Sequence, residues 1–159
     1  MLIERMTPEA CEDLLARVGF GRLACAQNNQ PYIVPIYFVY EPDYLYGFTT
    51  PGQKVEWMRT NPQICVEVDE VLNLETWTSV VVLGRYEELS ESGEYAAERN
   101  KAQSLLLKRA SWWMTAYEAS VARGHDEDPR PVFYRIRIGE ISGLHAIPER
   151  VQIAEVHNA

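Results

Sequence analysis

Positive charge is in short supply in this chain. Fifteen lysines and arginines stand against 23 aspartates and glutamates, for a formal net charge of −8. A nucleic-acid partner requires a basic face, so the balance argues against one, and any phosphate must be met by a local pocket. Cysteine is sparse too: Cys11, Cys25 and Cys65 are odd in number and lack CxxC spacing. They read as reduced, buried thiols. The three histidines, His125, His145 and His157, are scattered and form no HExxH-like pair, so no metal site is assigned. No apolar run approaches the roughly 18 residues of a membrane span. The N-terminal MLIERMTPEACEDL carries acids where a signal peptide would have its apolar core, so a cytoplasmic protein with no membrane partner is expected. No Ser-His-Asp, Cys-His or close carboxylate pair has a recognisable spacing, which weighs against a hydrolase and leaves no catalytic side chain assigned.

What is present is ordinary globular material, 47% apolar over 159 residues. That length predicts one domain burying roughly 70% of its unfolded surface. Thr7-Pro8-Glu9 starts a helix that should run to about Val18 and end at Gly19. From Phe20 the period changes to two. FGRLACAQ and PYIVPIYFVY form a hairpin around Asn28-Asn29, residues able to take positive φ. In its second strand Tyr32, Val34, Ile36, Phe38 and Tyr40 share one face, and Ile33, Pro35, Tyr37 and Val39 the other. Both faces are apolar, as in a barrel strand covered on each side or used in an interface. Pro35 cannot donate to a ladder and marks a bulge or an unpaired edge where a ligand could sit. Later strands are QICVEVDE, with Glu67 and Asp69 on a solvated face, and Trp77 to Leu89, in which Gly84 suggests a barrel-closing kink. The last is VFYRIRIGEISGLHA, with Arg135 and Arg137 on its wet face. Residues from about Ser92 to Ala122 read as helical. The Trp112, Trp113 and Tyr117 cluster there fits either packing on the barrel or a dimer or ligand contact.

The most informative stretch is Tyr44 to Asn61, YLYGFTTPGQKVEWMRTN. A strand gives way to Thr49-Thr50, the turn dipeptide Pro51-Gly52, and a short helix beginning near Gln53 and Lys54. A helix N-terminus presents unpartnered N–H groups and suits a phosphate or carboxylate. A lysine in the first turn opposes the helix dipole and needs a nearby anion or a solvated position. Either the corner cradles one phosphate, or Pro-Gly is a plain turn, the threonines cap the helix and Lys54 is solvated. The GxxxxGK[ST] spacing of a Walker loop is absent.

Five motifs in order decide between these: GRLACA (21–26), PYIVPIYFVY (31–40), YGFTTPGQK (46–54), NPQICVEVDE (61–70) and TSVVVLGRYEEL (78–89). Together they resemble the pyridoxamine 5'-phosphate oxidase-like family of FMN-binding split β-barrels, in its short, nitroimidazole-reductase-like branch. The resemblance implies a mainly β fold: a six-stranded antiparallel split β-barrel of Greek-key type with peripheral helices, over 1–147, followed by a tail at 148–159. It implies a homodimer with FMN at the subunit interface and an oxidoreductase passing hydride or electrons from a nicotinamide donor to a small molecule. By the same likeness Lys54 and Thr50, with Gln53 beside them, would hold the phosphate. Pro35, Ile36 and Tyr37 would line the ring system, Phe48 and Thr49 would touch it, and Ser79 and Val80 would come from the fifth strand of this chain or of its partner subunit. The longer C-terminal part of the true pyridoxamine-phosphate oxidases is absent, so vitamin B6 oxidation is not implied. A haem-binding or haem-degrading relative, with His125 or His145 as axial ligand, and a non-enzymatic flavin-storage module are the alternatives.

Overall fold

Thr7 opens the first helix as its sequence predicts, its hydroxyl oxygen accepting from the Ala10 N–H at 3.2 Å, and Gly19 closes it in the left-handed conformation at φ 61°. In the computed structural model, which describes residues 1–109 and 131–149, the strands are β1 (Leu2–Arg5), β2 (Phe20–Gln27), β3 (Gln30–Glu41), β4 (Tyr44–Thr49), β5 (Gln63–Asn73), β6 (Thr76–Glu88) and β7 (Val132–Ile147). The helices are α1 (Pro8–Val18), α2 (Gln53–Thr60) and α3 (Ala96–Arg109). A 3-10 turn at Gly93–Tyr95 precedes α3, so the helical segment expected from Ser92 begins there. Its continuation past 109, with Trp112, Trp113 and Tyr117, lies outside the described residues, as do His125 and the tail from 150 onward.

Six strands close a ring in the order β7-β4-β3-β2-β5-β6, with β6 pairing back onto β7, all antiparallel. Three hairpin-connected strands, β2 to β4, are followed by β5 returning beside β2, which is the Greek-key order. The expected six-stranded split barrel is therefore present. A seventh strand, β1, is added along the end of β7, with Leu2 opposite Ile147. Asn28 and Asn29 take φ of 50° and 63°, as the tight β2–β3 turn requires.

The ring is filled from one face of each strand. Leu23, Val66, Val68, Val80, Val82 and Ile136 are all fully buried, and Leu14 and Leu15 of α1 with Met58 of α2 close the open sides. Gly47 faces this interior because nothing larger fits: a Cβ there would lie 2.4 Å from the Tyr134 ring. A second cluster, Tyr46, Leu89, Ala102, Leu106 and Phe133, lies under α3.

Pro35 settles into one of its two expected roles. It stands opposite Arg22 in an unbroken β2–β3 register, so there is no bulge. The Phe38 N–H donates to the Gly19 carbonyl across that pair, and alternation then turns the Pro35 nitrogen away from β2. On that side β4 pairs only with Phe38 to Glu41, which leaves Pro35 on an open edge. The other face of β3 is apolar and exposed, Ile33 at 67% and Tyr37 at 47%. Register does shift at two other places: between Val71 and Asn73 of β5, and between Leu83 and Gly84 of β6 against β7, at the kink expected from Gly84.

Candidate functional site

The corner between β4 and α2 is fixed from below. Val55 and Met58 of α2 are fully buried, and the Trp57 ring lies 5.6 Å from that of Tyr32. The Asn61 side-chain amide donates to the Ala26 carbonyl at 3.0 Å. Arg59 grips Glu88 of β6 through two bonds of 2.8 Å, holding the Glu88 carboxyl below its usual range. A helix anchored on three sides presents its N-terminus at one place.

That N-terminus has no side-chain cap. The residue in the capping position is Gly52, whose carbonyl accepts from the Val55 and Glu56 N–H groups at 3.0 and 3.2 Å. The threonines do not cap it: the buried Thr49 hydroxyl donates to the Thr50 carbonyl at 3.2 Å, and Thr50 is exposed. A Cβ on Gly52 would meet nothing within 4 Å, so the space in front of the helix is open. The first N–H groups of α2 are thus available to an external acceptor.

Lys54 is half-buried beside this opening, and among the described residues no carboxylate comes within ion-pair distance of it. Burial pulls its ammonium pKa below the ordinary value, with the nearby Cys25 thiol acting weakly the other way. The same burial pushes the Cys25 thiol up, against the pull of Lys54. An ammonium partly withdrawn from water, at the positive end of a helix and without a counter-ion, is unfavourable as it stands. A phosphate or carboxylate placed there would accept from the helix N–H groups and the ammonium together.

The residues expected at the site fall into four groups. Thr49, Thr50, Gln53 and Lys54 are consecutive around the corner, and Phe48 adjoins them with its ring 5.3 Å from Phe133. Pro35 and Tyr37 share the outward face of β3, where Tyr37 packs 4.8 Å from Phe20. Ile36 and Val80 are 5% and 0% exposed, with side chains in the barrel core, so only their backbones could meet a ligand. Ser79 is on the outer face of β6 and donates to Glu67 at 2.9 Å. In the β3-β2-β5-β6 order it lies three strands from β3, about 14 Å away at the usual strand spacing.

Sequence reasoning missed the charge pairs. Glu67 and Asp69, expected as a solvated face, both engage Arg22 on β2. Arg135, expected on a wet face, is nearly buried between Glu87 at 2.6 Å and Glu98 at 3.2 Å, with its guanidinium 4.3 Å from the Tyr44 ring. His145 faces Glu4 at 3.3 Å on the β7–β1 pair. Among the described residues no cluster of three or more His, Cys, Asp or Glu could hold a metal, and no helix is long and apolar enough to cross a membrane.

A closed six-stranded Greek-key barrel with flanking helices defines the class as a split β-barrel. Residues 7–145 match the family described as pyridoxamine 5'-phosphate oxidase, and the chain belongs to it. An uncharacterised protein of Rhizobium meliloti strain 1021 is 36% identical over 146 residues, spanning 92% of this chain and 97% of its own. The crystal structure of an FAD-binding protein from Mesorhizobium loti is 41% identical, with a TM-score of 0.74, covering 92% of this chain and 99% of that one. A candidate 5-nitroimidazole antibiotic resistance protein from Bacteroides thetaiotaomicron shares the fold at 17% identity, with a TM-score of 0.64, covering 91% and 89%.

Proposed function

We propose that this chain is an FMN-binding flavoprotein, its flavin phosphate held at the α2 N-terminus by Lys54, with Thr50 and Gln53 alongside. The observation that carries the reading is the half-buried Lys54, without a carboxylate partner among the described residues, in front of an uncapped helix. The family match and the 41% identical FAD-binding protein support a flavin as the group whose phosphate fits there. We assign the outward face of β3, with Pro35 and Tyr37, and the backbone beside Ile36, Phe48 and Thr49 to the walls of the ring site. Ser79 and the Val80 backbone are assigned to the same site across a homodimer interface, because within one protomer they lie too far from β3. The exposed apolar residues Ile33, Tyr37 and Leu83 on the sheet's outer face are the surface that such a dimer would cover.

When bound, the flavin supplies hydride or electron transfer, here from a nicotinamide donor to a small molecule. The chain's own residues clamp the phosphate, orient the ring against the proline-bearing edge, and exclude water through the partner's face. None is required as a general acid or base. Residues 1–147 form the flavin-binding unit and 148–159 a tail, and the protein works in the cytoplasm, where its three unpaired cysteines stay reduced. The test is the absorption spectrum of the purified protein with chromatography of the released chromophore. A two-band flavin profile yielding FMN is expected. A haem band, or no chromophore and no FMN uptake on addition, would overturn the assignment. Bound FMN with no nicotinamide oxidation in the presence of acceptors would reduce the protein to a flavin-storage module.

A further inference from the structure

Beyond the flavin corner, a row of polar side chains crosses three strands on the outer face of the barrel. Gln63 of β5 stands opposite Arg85 of β6, and Arg85 stands opposite Arg137 of β7. All three are exposed, and with Glu140 they line an open concavity of about 350 Å³ at the β6–β7 bulge. We propose that this concavity is a second oxyanion site, taking the phosphate or carboxylate group of a small molecule between the guanidinia of Arg85 and Arg137.

Like charges directly opposite one another across a strand pair are destabilising. In a chain of net charge −8, with acids to spare, such a pair calls for a compensating partner. Four arginines elsewhere on the surface have theirs, although Arg5 of β1 has none among the described residues: Arg17 pairs with Glu70, Arg22 with Asp69, Arg59 with Glu88, and Arg99 with Glu91. Arg85 has no carboxylate within ion-pair distance among the described residues. Arg137 is held at 2.7 Å by Glu87, but that carboxylate is shared with Arg135 and is only 9% exposed, so it orders Arg137 without reaching Arg85.

The bulge makes the space. Leu83 faces Glu140 and Gly84 faces Ile138, so Gly139 is the extra residue, and it brings backbone without a side chain to the wall of the concavity. Two planar guanidinia with a side-chain amide beside them form a donor set suited to the paired oxygens of a phosphate or carboxylate. Glu140, on the same concavity, disfavours a second negative group, so the site suits a single oxyanion. Lys54 and Gln63 flank opposite ends of α2, roughly 10 Å apart along its axis, so an anion bound at the row is not the one bound at Lys54.

The test titrates inorganic phosphate and, separately, acetate into the purified protein at low ionic strength, followed by calorimetry and by the melting temperature. Saturable binding of one of them is expected, and the tighter of the two identifies the group. Arg85→Gln should weaken it roughly tenfold, and Glu140→Gln should strengthen it. Saturating the Lys54 corner with FMN beforehand should leave it unchanged, which separates this site from the flavin corner. Without added anion, Arg85→Glu should raise the melting temperature by replacing repulsion of Arg137 with attraction. Equal affinity in wild type and Arg85→Gln, loss of binding once FMN fills the Lys54 corner, no saturable binding of either anion, or a lower melting temperature for Arg85→Glu would each overturn the proposal.

Discussion

Replacing Lys54 by Met should move ligand affinity and apo-protein stability in opposite directions. The substitution keeps an unbranched apolar stem and removes only the charge. In the bound state a half-buried ammonium against a phosphate is a charge-assisted contact of about 1.5–3 kcal/mol, so FMN should bind roughly 10–150 times more weakly. In the apo state the ammonium has no counter-ion among the described residues, and its pKa is lowered by burial. The unfolded chain therefore holds that proton more tightly than the folded one. Apo stability should accordingly rise as pH climbs through the lowered folded pKa towards the unfolded value, and this slope should vanish in Lys54→Met. At neutral pH the variant apoprotein should be as stable as wild type or slightly more so. Flavin fluorescence titration gives the first quantity, and urea unfolding of the stripped proteins from pH 7 to 10 gives the second. A variant that binds FMN with undiminished affinity would refute the reasoning, as would an apoprotein destabilised by more than about 1 kcal/mol, because Lys54 would then have a partner within the fold.

Three further outcomes are expected. Gly47→Ala places a Cβ 2.4 Å from the Tyr134 ring, which is 1% exposed and cannot retreat, so overpacking of about 1–3 kcal/mol should appear in denaturant unfolding and be partly recovered by adding Tyr134→Leu. The Arg59–Glu88 clamp should lose strength in acid: Glu88 has a lowered folded pKa, so its contribution is present above the unfolded carboxylate value and is lost as pH falls through the folded one. Because both groups are partly exposed, the effect is about 0.5–1 kcal/mol, seen as a flatter acid limb of the stability–pH curve in Glu88→Gln. Leu83→Glu, on an exposed outward position of β6, should shift the sedimentation of the protein from dimer to monomer and lower flavin occupancy with it, while an unchanged dimer would place the interface elsewhere.

Most strands of the ring were readable from alternation, as in β3, β5 and β7, or from a β-branched run, as in β6, and because Asn28-Asn29 and Pro51-Gly52 punctuate them. β1 was not: LIER carries no alternation, all four residues are exposed, and only pairing with β7, some 140 residues away in sequence, makes it a strand. The placement of Lys54 in the first turn of α2 was legible from the sequence, a local signal. Arg22 with Asp69, and Arg135 with Glu87, were not legible, since partners about 47 residues apart meet only once register is fixed. Ile36 and Val80 were chosen by motif position, and strand parity turned their side chains inward.

β7 has one more consequence. It bonds to β1, β4 and β6 at once, and it follows all of them along the chain. Until it docks, the hydrogen-bonding edges of β4 and β6 have no neighbour, and the earlier strands amount to an open ribbon with its apolar lining showing. Folding should therefore be slow and strongly non-local, with sticky intermediates that chaperones would hold during synthesis. Joining the two ends of the barrel in a circular permutant that begins at β7 should shorten that vulnerable interval.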